Sequence, residues 1–235
     1  MKENKDYSVG SIIKKLKSLS NPKAVEGMAM YGINPEKNLG ISILQLRKTA
    51  KEIGRNHKSA LDLWETGIHD ARILAGMIDE PCKVSEKQME EWTGDFDSWD
   101  VCDQVCMNLF KRSPIVYKKA IEWSGRNEKF VKRAGFTLMA ILAVSDKKAA
   151  DEEFIKFFPY IKKESTDSRN YVKKAVNWAL RQIGKRNLNL NKIAVRAGEE
   201  IYNLDFKSAR WIAFDALREL KSEEVQKRLI NRERR

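Results

Sequence analysis

The chain has 235 residues, a formal net charge of +12, and 42% hydrophobic and 9% aromatic residues. That is enough for one large domain or two small ones with a real core, and too apolar for a disordered polymer. No apolar run approaches the roughly 20 residues that span a bilayer, and three cysteines, Cys82, Cys102 and Cys106, make no disulfide framework.

In chain order, the opening "MKENKDYSVGS" lacks an apolar signal region, which points to a cytosolic protein. Next comes "NPKAVEGMAMYGIN", where Met28 and Met30 read as packing residues rather than a binding feature. "NLGISILQLRKTAKEIG" places Ile43, Leu46 and Ala50 at helical spacing, with Gly54 as its stop. "SALDLWETG" and "DARILAGMI" read as a helical pair. Residues 79–103 then hold nine acids and two lysines, a net of −7, which leaves +19 on the rest of the chain. Cys102 and Cys106, one helical turn apart, read as buried thiols. With only two histidines, His57 and His69, the chain is too poor in soft ligands for a zinc site, and neither metal nor cofactor is expected. "VYKKAIEWSG" precedes "VKRAGFTLM" as a second pair. "SRNYVKKAVNWALRQIGKRN" should start after a Ser or Asp cap, bury Val172, Val176, Ala179 and Ile183, and stop at Gly184. "SARWIAFDAL" follows, and "SEEVQKRLINRERR" closes the chain as a basic helix over 221–235. Trp64, Trp123 and Trp211 read as core between paired helices. No alternating strand pattern is present, so the class is all-α.

Four of these segments align by register: a basic residue, then a mostly apolar run. The basic position falls on Arg72, Arg133, Lys174 and Arg210, at intervals of 61, 41 and 36 residues. The long interval divides if "SWDVCDQVC" is a further member with Asp100 at that position, giving 28, 33, 41 and 36. Such spacings belong to helical-pair repeats, which stack into a solenoid because no pair buries its apolar face alone. Cations recurring at one register position make a stripe along one surface. Two readings fit the stripe, a phosphate track or the solvated edge of each helix, and the charge excess favours the track.

The acidic member of the series interrupts that stripe. Trp99 and Asp103 lie one turn apart on one helical face, and Asp100 points about 100 degrees away, where an acid favours the helix start. The plain reading is an N-terminal acid beside a core tryptophan. The functional one is a carboxylate kept in a cationic surface to stabilise positive charge on a sugar, with an indole as its flat neighbour.

The ordered set "SWDVCD", "FVKRAGF" and "KKAVNWALRQIGK" resembles the AlkD-type DNA alkylation repair family, bacterial glycosylases built from HEAT-like helical repeats. The resemblance runs from about Leu39 to the last helices. It implies one right-handed α-superhelix over 1–235, with a more variable portion over 1–55, a repeat core near 56–220 and the basic tail. It implies hydrolysis of the N-glycosidic bond of cationic N3- or N7-alkylpurines in duplex DNA, in base excision repair. The family's tryptophan falls on Trp99, its catalytic aspartate on Asp103, its lesion-facing arginine on Arg133, and its second sugar-framing tryptophan on Trp178. Arg72, Lys132, Lys174, Arg181 and Arg210 are the candidate DNA contacts, with Lys132 and Arg133 competing for the same direction. The implied partner is double-stranded DNA with alkylated bases, bound by a monomer in the bacterial cytosol or nucleoid, without membrane or obligate protein partner. The alternative is a non-catalytic HEAT-like binder of damaged or branched DNA.

Overall fold

The computed structural model describes residues 8–233. Residues 1–7, on which much of the signal-free reading of the N-terminus rests, and the last two arginines of the basic tail lie outside the described residues. These form helices and connecting turns, in two compact units that divide between Ser113 and Pro114.

The first unit contains α1 (Val9–Ser18), α2 (Pro22–Met30), α3 (Ile43–Ile53), α4 (His57–Glu65), α5 (His69–Ile78), α6 (Glu86–Gly94) and α7 (Trp99–Asn108). Its boundaries are written locally. Ser8, Asn21, Asn56 and Ser85 each accept a backbone N–H of the first turn they precede. Ser42 and Gln45 close a reciprocal capping box at α3, whose other end is Gly54 at φ 79°. Gly40 at φ 69° could not be replaced, because an added Cβ would collide with the Asn21 carbonyl. The core of this unit centres on Trp64 and Trp92, stacked at 4.0 Å and 2°. Burying each such side chain contributes on the order of 2 kcal/mol.

The second unit contains α8 (Val116–Ser124), α9 (Lys129–Ser145), α10 (Asp151–Ile155), α11 (Phe158–Glu164), α12 (Asn170–Gly184), α13 (Leu188–Tyr202), α14 (Lys207–Leu220) and α15 (Glu223–Glu233). Here α8 pairs with α9, α11 with α12, and α13 with α14, while α9, α12 and α14 lie side by side as the second members of successive pairs. Gly135 lets α9 approach α8 so closely that a Cβ would sit 2.5 Å from the Ser124 nitrogen. In the first unit α4 pairs with α5, and α5 lies against α7. The five aligned segments therefore fall on α5, α7, α9, α12 and α14, and the fold is all-α with HEAT-like pairing.

Three local expectations are corrected. The N-cap of α12 is Arg169, with no side-chain cap, because the Asp167 carboxylate is occupied by the Arg169 guanidinium and by Lys132. Trp211 is not core: it is 40% exposed, with Lys173 of α12 4.6 Å over its ring. Met30 is not a packing residue either, being 87% exposed where α2 ends. Trp64 and Trp123 are buried as expected, and so are Cys102 and Cys106. Among the described residues, no helix is long and apolar enough to cross a membrane, and no group of three or more His, Cys, Asp or Glu could hold a metal ion.

Candidate active site and nucleic-acid interface

Trp99 is the first residue of α7. The N-cap before it, Ser98, does not cap the helix with its side chain; its hydroxyl instead accepts the Asn34 N–H at 3.0 Å. The indole Nε1 of Trp99 donates to the Tyr31 carbonyl at 3.1 Å, and Asn34 Nδ2 donates to Asp97 at 2.9 Å. The segment after α2 is thus laced to the start of α7 and fixes the edge of the Trp99 ring. One turn on, Asp103 is 9% exposed. A shielded carboxylate acts in a lower dielectric than a surface one and exerts a stronger field on a nearby charge.

Asp100 is not merely a first-turn acid. It is buried, and its carboxylate accepts from His69 Nε2 at 2.9 and 3.1 Å. His69, buried at the start of α5, has its other ring nitrogen 3.8 Å from Asp70. Burial alone would push the imidazole pKa down. The hydrogen bond to Asp100 and the closeness of Asp70 more than reverse this and raise it to about 9. The imidazole is therefore a cation at neutral pH, held between two acids. Asp70 in turn accepts the backbone N–H groups of Leu39 (2.6 Å) and Ile41 (2.9 Å), and the His69 N–H donates to the Lys37 carbonyl. Sequence reasoning missed His69, Asp70 and Tyr31. Only the aromatic before Gly32, which takes φ 73°, left a trace in the sequence; the His69–Asp100 pair is separated by 31 residues and has no local signature.

Arg72 on α5 is half-buried, 5.0 Å over the Trp64 ring, and donates to the Asp95 carbonyl (2.9 Å) and carboxylate (3.3 Å). It braces the loop that enters α7.

In the second unit, the neighbours Lys132 and Arg133 of α9 point to different elements. The Lys132 ammonium pairs with Glu164 at the end of α11 and lies 3.4 Å from Asp167. Arg133, also buried, donates to the Tyr171 carbonyl at the start of α12 at 2.7 Å. Trp178 is half-buried on α12. On the same face, Lys174 is exposed, and Arg181 donates to Glu219 at 2.7 Å with Asp215 at 3.6 Å. Arg210 on α14 is exposed and paired with Asp205 at 2.9 Å. Exposed pairs of this kind contribute about 0–1 kcal/mol and exchange readily for a phosphate.

The fold has relatives among known proteins. A search of curated protein sequences finds no match. Among solved structures, one relative superposes with a TM-score of 0.75 at 20% identity, covering 87% of this chain and 92% of its own; it is described as one of "a new family of proteins related to the HEAT-like repeat DNA glycosylases with affinity for branched DNA structures". A designed armadillo repeat protein bound to a (KR)4 peptide aligns at a TM-score of 0.38 and 13% identity, over 88% of this chain and 95% of its own. The family model described as "DNA alkylation repair enzyme" matches residues 12–220, and the chain belongs to that DNA alkylation repair family.

Proposed function

We propose that the protein is a DNA glycosylase that hydrolyses the N-glycosidic bond of cationic N3- or N7-alkylpurines in duplex DNA. The observation that carries this reading is the Trp99–Asp103 face of α7, with the indole edge pinned and the carboxylate shielded. An alkylated purine carries positive charge and leaves readily, so acid catalysis at the base matters little. The barrier lies in the positive charge that develops on the sugar as the C–N bond breaks. Asp103 supplies a fixed negative charge for that oxocarbenium ion and orients the attacking water, which adds to the anomeric carbon and yields an abasic site. Trp99 offers a flat apolar wall to the deoxyribose. For Trp178 and Arg133 the family resemblance implies a second sugar-framing tryptophan and a lesion-facing arginine. Lys174, Arg181 and Arg210 serve as phosphate contacts. Lys132, matched by two carboxylates, and Arg72, tied to Asp95, serve by holding α9 and the approach to α7 in place.

A second reading has a specific support: the structural relative is described by its affinity for branched DNA. On that reading the chain binds without excising. One experiment separates the two. The purified protein is incubated with duplex DNA containing N7-methylguanine, abasic sites are cleaved, and the same protein is titrated with intact and forked duplexes. Cleavage that depends on the protein supports the glycosylase. Tight binding with no cleavage replaces it with the binding module. Either reading requires salt-sensitive DNA affinity, with a slope of about −0.9 per phosphate contact in log affinity against log salt.

A further inference from the structure

The C-terminal helix α15, singled out in the sequence for its charge, has no part in the chemistry above. It closes a cavity. Between the end of α9, the end of α12 and α15 lie two adjoining hollows of ≈ 180 and ≈ 360 Å³. Their lining carries Lys147, Lys185, Arg186, Arg228 and Arg232 and no carboxylate.

Some of these cations have internal duties. Arg186 donates to the carbonyls of Ala143 (3.2 Å), Asp146 (2.6 Å) and Ala149 (2.7 Å), which caps the end of α9 and fixes the guanidinium. Lys185 pairs with Glu219 at 2.6 Å. The Arg232 guanidinium donates to the Lys185 carbonyl at 3.3 Å, which positions it without cancelling its charge. Lys147 and Arg228 make no ion pair among the described residues. The nearest acid in sequence, Asp146, turns its carboxylate to the Tyr117 hydroxyl (3.0 Å) and to the Lys148 and Ala149 N–H groups. Helix-end contacts therefore explain Arg186 and place Arg232, but leave Lys147 and Arg228 unexplained and the charge of Arg232 unmatched. Like charges gathered around a concave surface repel one another, and an anion in their midst removes the repulsion. Arginine forks suit the paired oxygens of a phosphate.

We infer that this hollow is a phosphate-binding site, with Arg228 and Arg232 of α15 and Lys147 after α9 as the ligand-facing cations and Arg186 as the fixed wall. Its source in DNA, a backbone phosphate, rests on the nucleic-acid reading above; free phosphate is the other source of the same chemistry.

The test uses the whole chain and two probes. The first is a fluorescently labelled duplex, titrated at several salt concentrations with wild type, the Arg228→Ala/Arg232→Ala double variant, and Lys227→Ala as a control on the same helix, where the lysine pairs with Glu223. The double variant should lose at least about threefold in affinity, and its salt slope should shrink by about 0.9, while Lys227→Ala changes neither. Arg228→Lys/Arg232→Lys should restore most of the loss. The second probe is inorganic phosphate against chloride at matched ionic strength, read as a shift in melting temperature that the double variant abolishes. A response to either probe that the double variant removes supports the site, and the probe that responds names the source. Unchanged affinity, slope and melting response in a folded double variant overturn it. If wild type binds no DNA yet phosphate raises its melting temperature through these arginines, the DNA reading fails while the site stands. All three substituted residues are exposed, and circular dichroism verifies that the helices persist.

Discussion

Helices α7 and α9 occupy equivalent places in the repeat series, and both carry buried ionisable side chains, but they balance them in opposite ways. On α7 the buried acid, Asp100, is matched by an imidazole whose charge depends on pH. On α9 the buried cation, Lys132, is matched by the two carboxylates of Glu164 and Asp167. Asp167 lies below its usual range: burial opposes this, and the Arg169 hydrogen bonds and the Lys132 charge overcome it. The helix bearing the candidate catalytic acid is thus steadied by a titratable imidazole, while its counterpart is steadied by a lysine between two carboxylates.

The largest expected effect sharpens the contrast within α7 itself. Asp103→Asn should keep the helix and lower excision of methylated purine by about 10²–10³, with DNA affinity unchanged or higher, because a negative charge leaves a cationic surface. Wild-type excision rates in that variant would make Asp103 a structural acid.

Next come the two buried pairs. Asp100→Asn and Lys132→Ala should each destabilise the fold by about 3 kcal/mol, since each strands a charged partner away from water. Thermal melting of the two variants measures this. A loss below about 0.5 kcal/mol, the size of an ordinary surface substitution, would show that the pair is not a buried support. This replaces the expectation that Asp100 serves only the start of its helix.

The pH dependence separates the two helices more finely. The folded His69 pKa of about 9 lies above the unfolded value of about 6.5. Its contribution is then complete below about pH 6.5 and is lost as pH rises through 9. Chemical unfolding at pH 6.5, 8 and 9.5 should show falling stability, and His69→Asn should flatten that fall. A wild-type curve without the decline would mean that His69 is neutral in the fold.

The smallest effect is expected on the acidic helix α6. Reversing Glu86, Glu90 and Glu91 on α6 together should change excision less than about twofold, because none lies on the Trp99–Asp103 face, and surface substitutions of this kind move stability by roughly ±0.5 kcal/mol each. Activity assays on the folded triple variant check this.

By itself the sequence determined the helical class, some helix ends such as the stop at Gly54, and the series of paired segments, because these depend on neighbours within a turn or two. Ser42 with Gln45, Gly54, and the apolar spacing of α12 are local instructions. It also put Trp99 and Asp103 on one face, which needs only the pitch of a helix. What the tertiary structure decided were the contacts between distant segments. It chose Glu164 for Lys132 and Tyr171 for Arg133, two directions that adjacent residues on one helix cannot reveal. It paired His69 with Asp100, pinned Trp99 to Tyr31, and left Trp211 and Met30 facing water although both are apolar. Burial follows from which faces the neighbouring helices cover, and a helix pattern shows that a face is apolar without showing what lies against it.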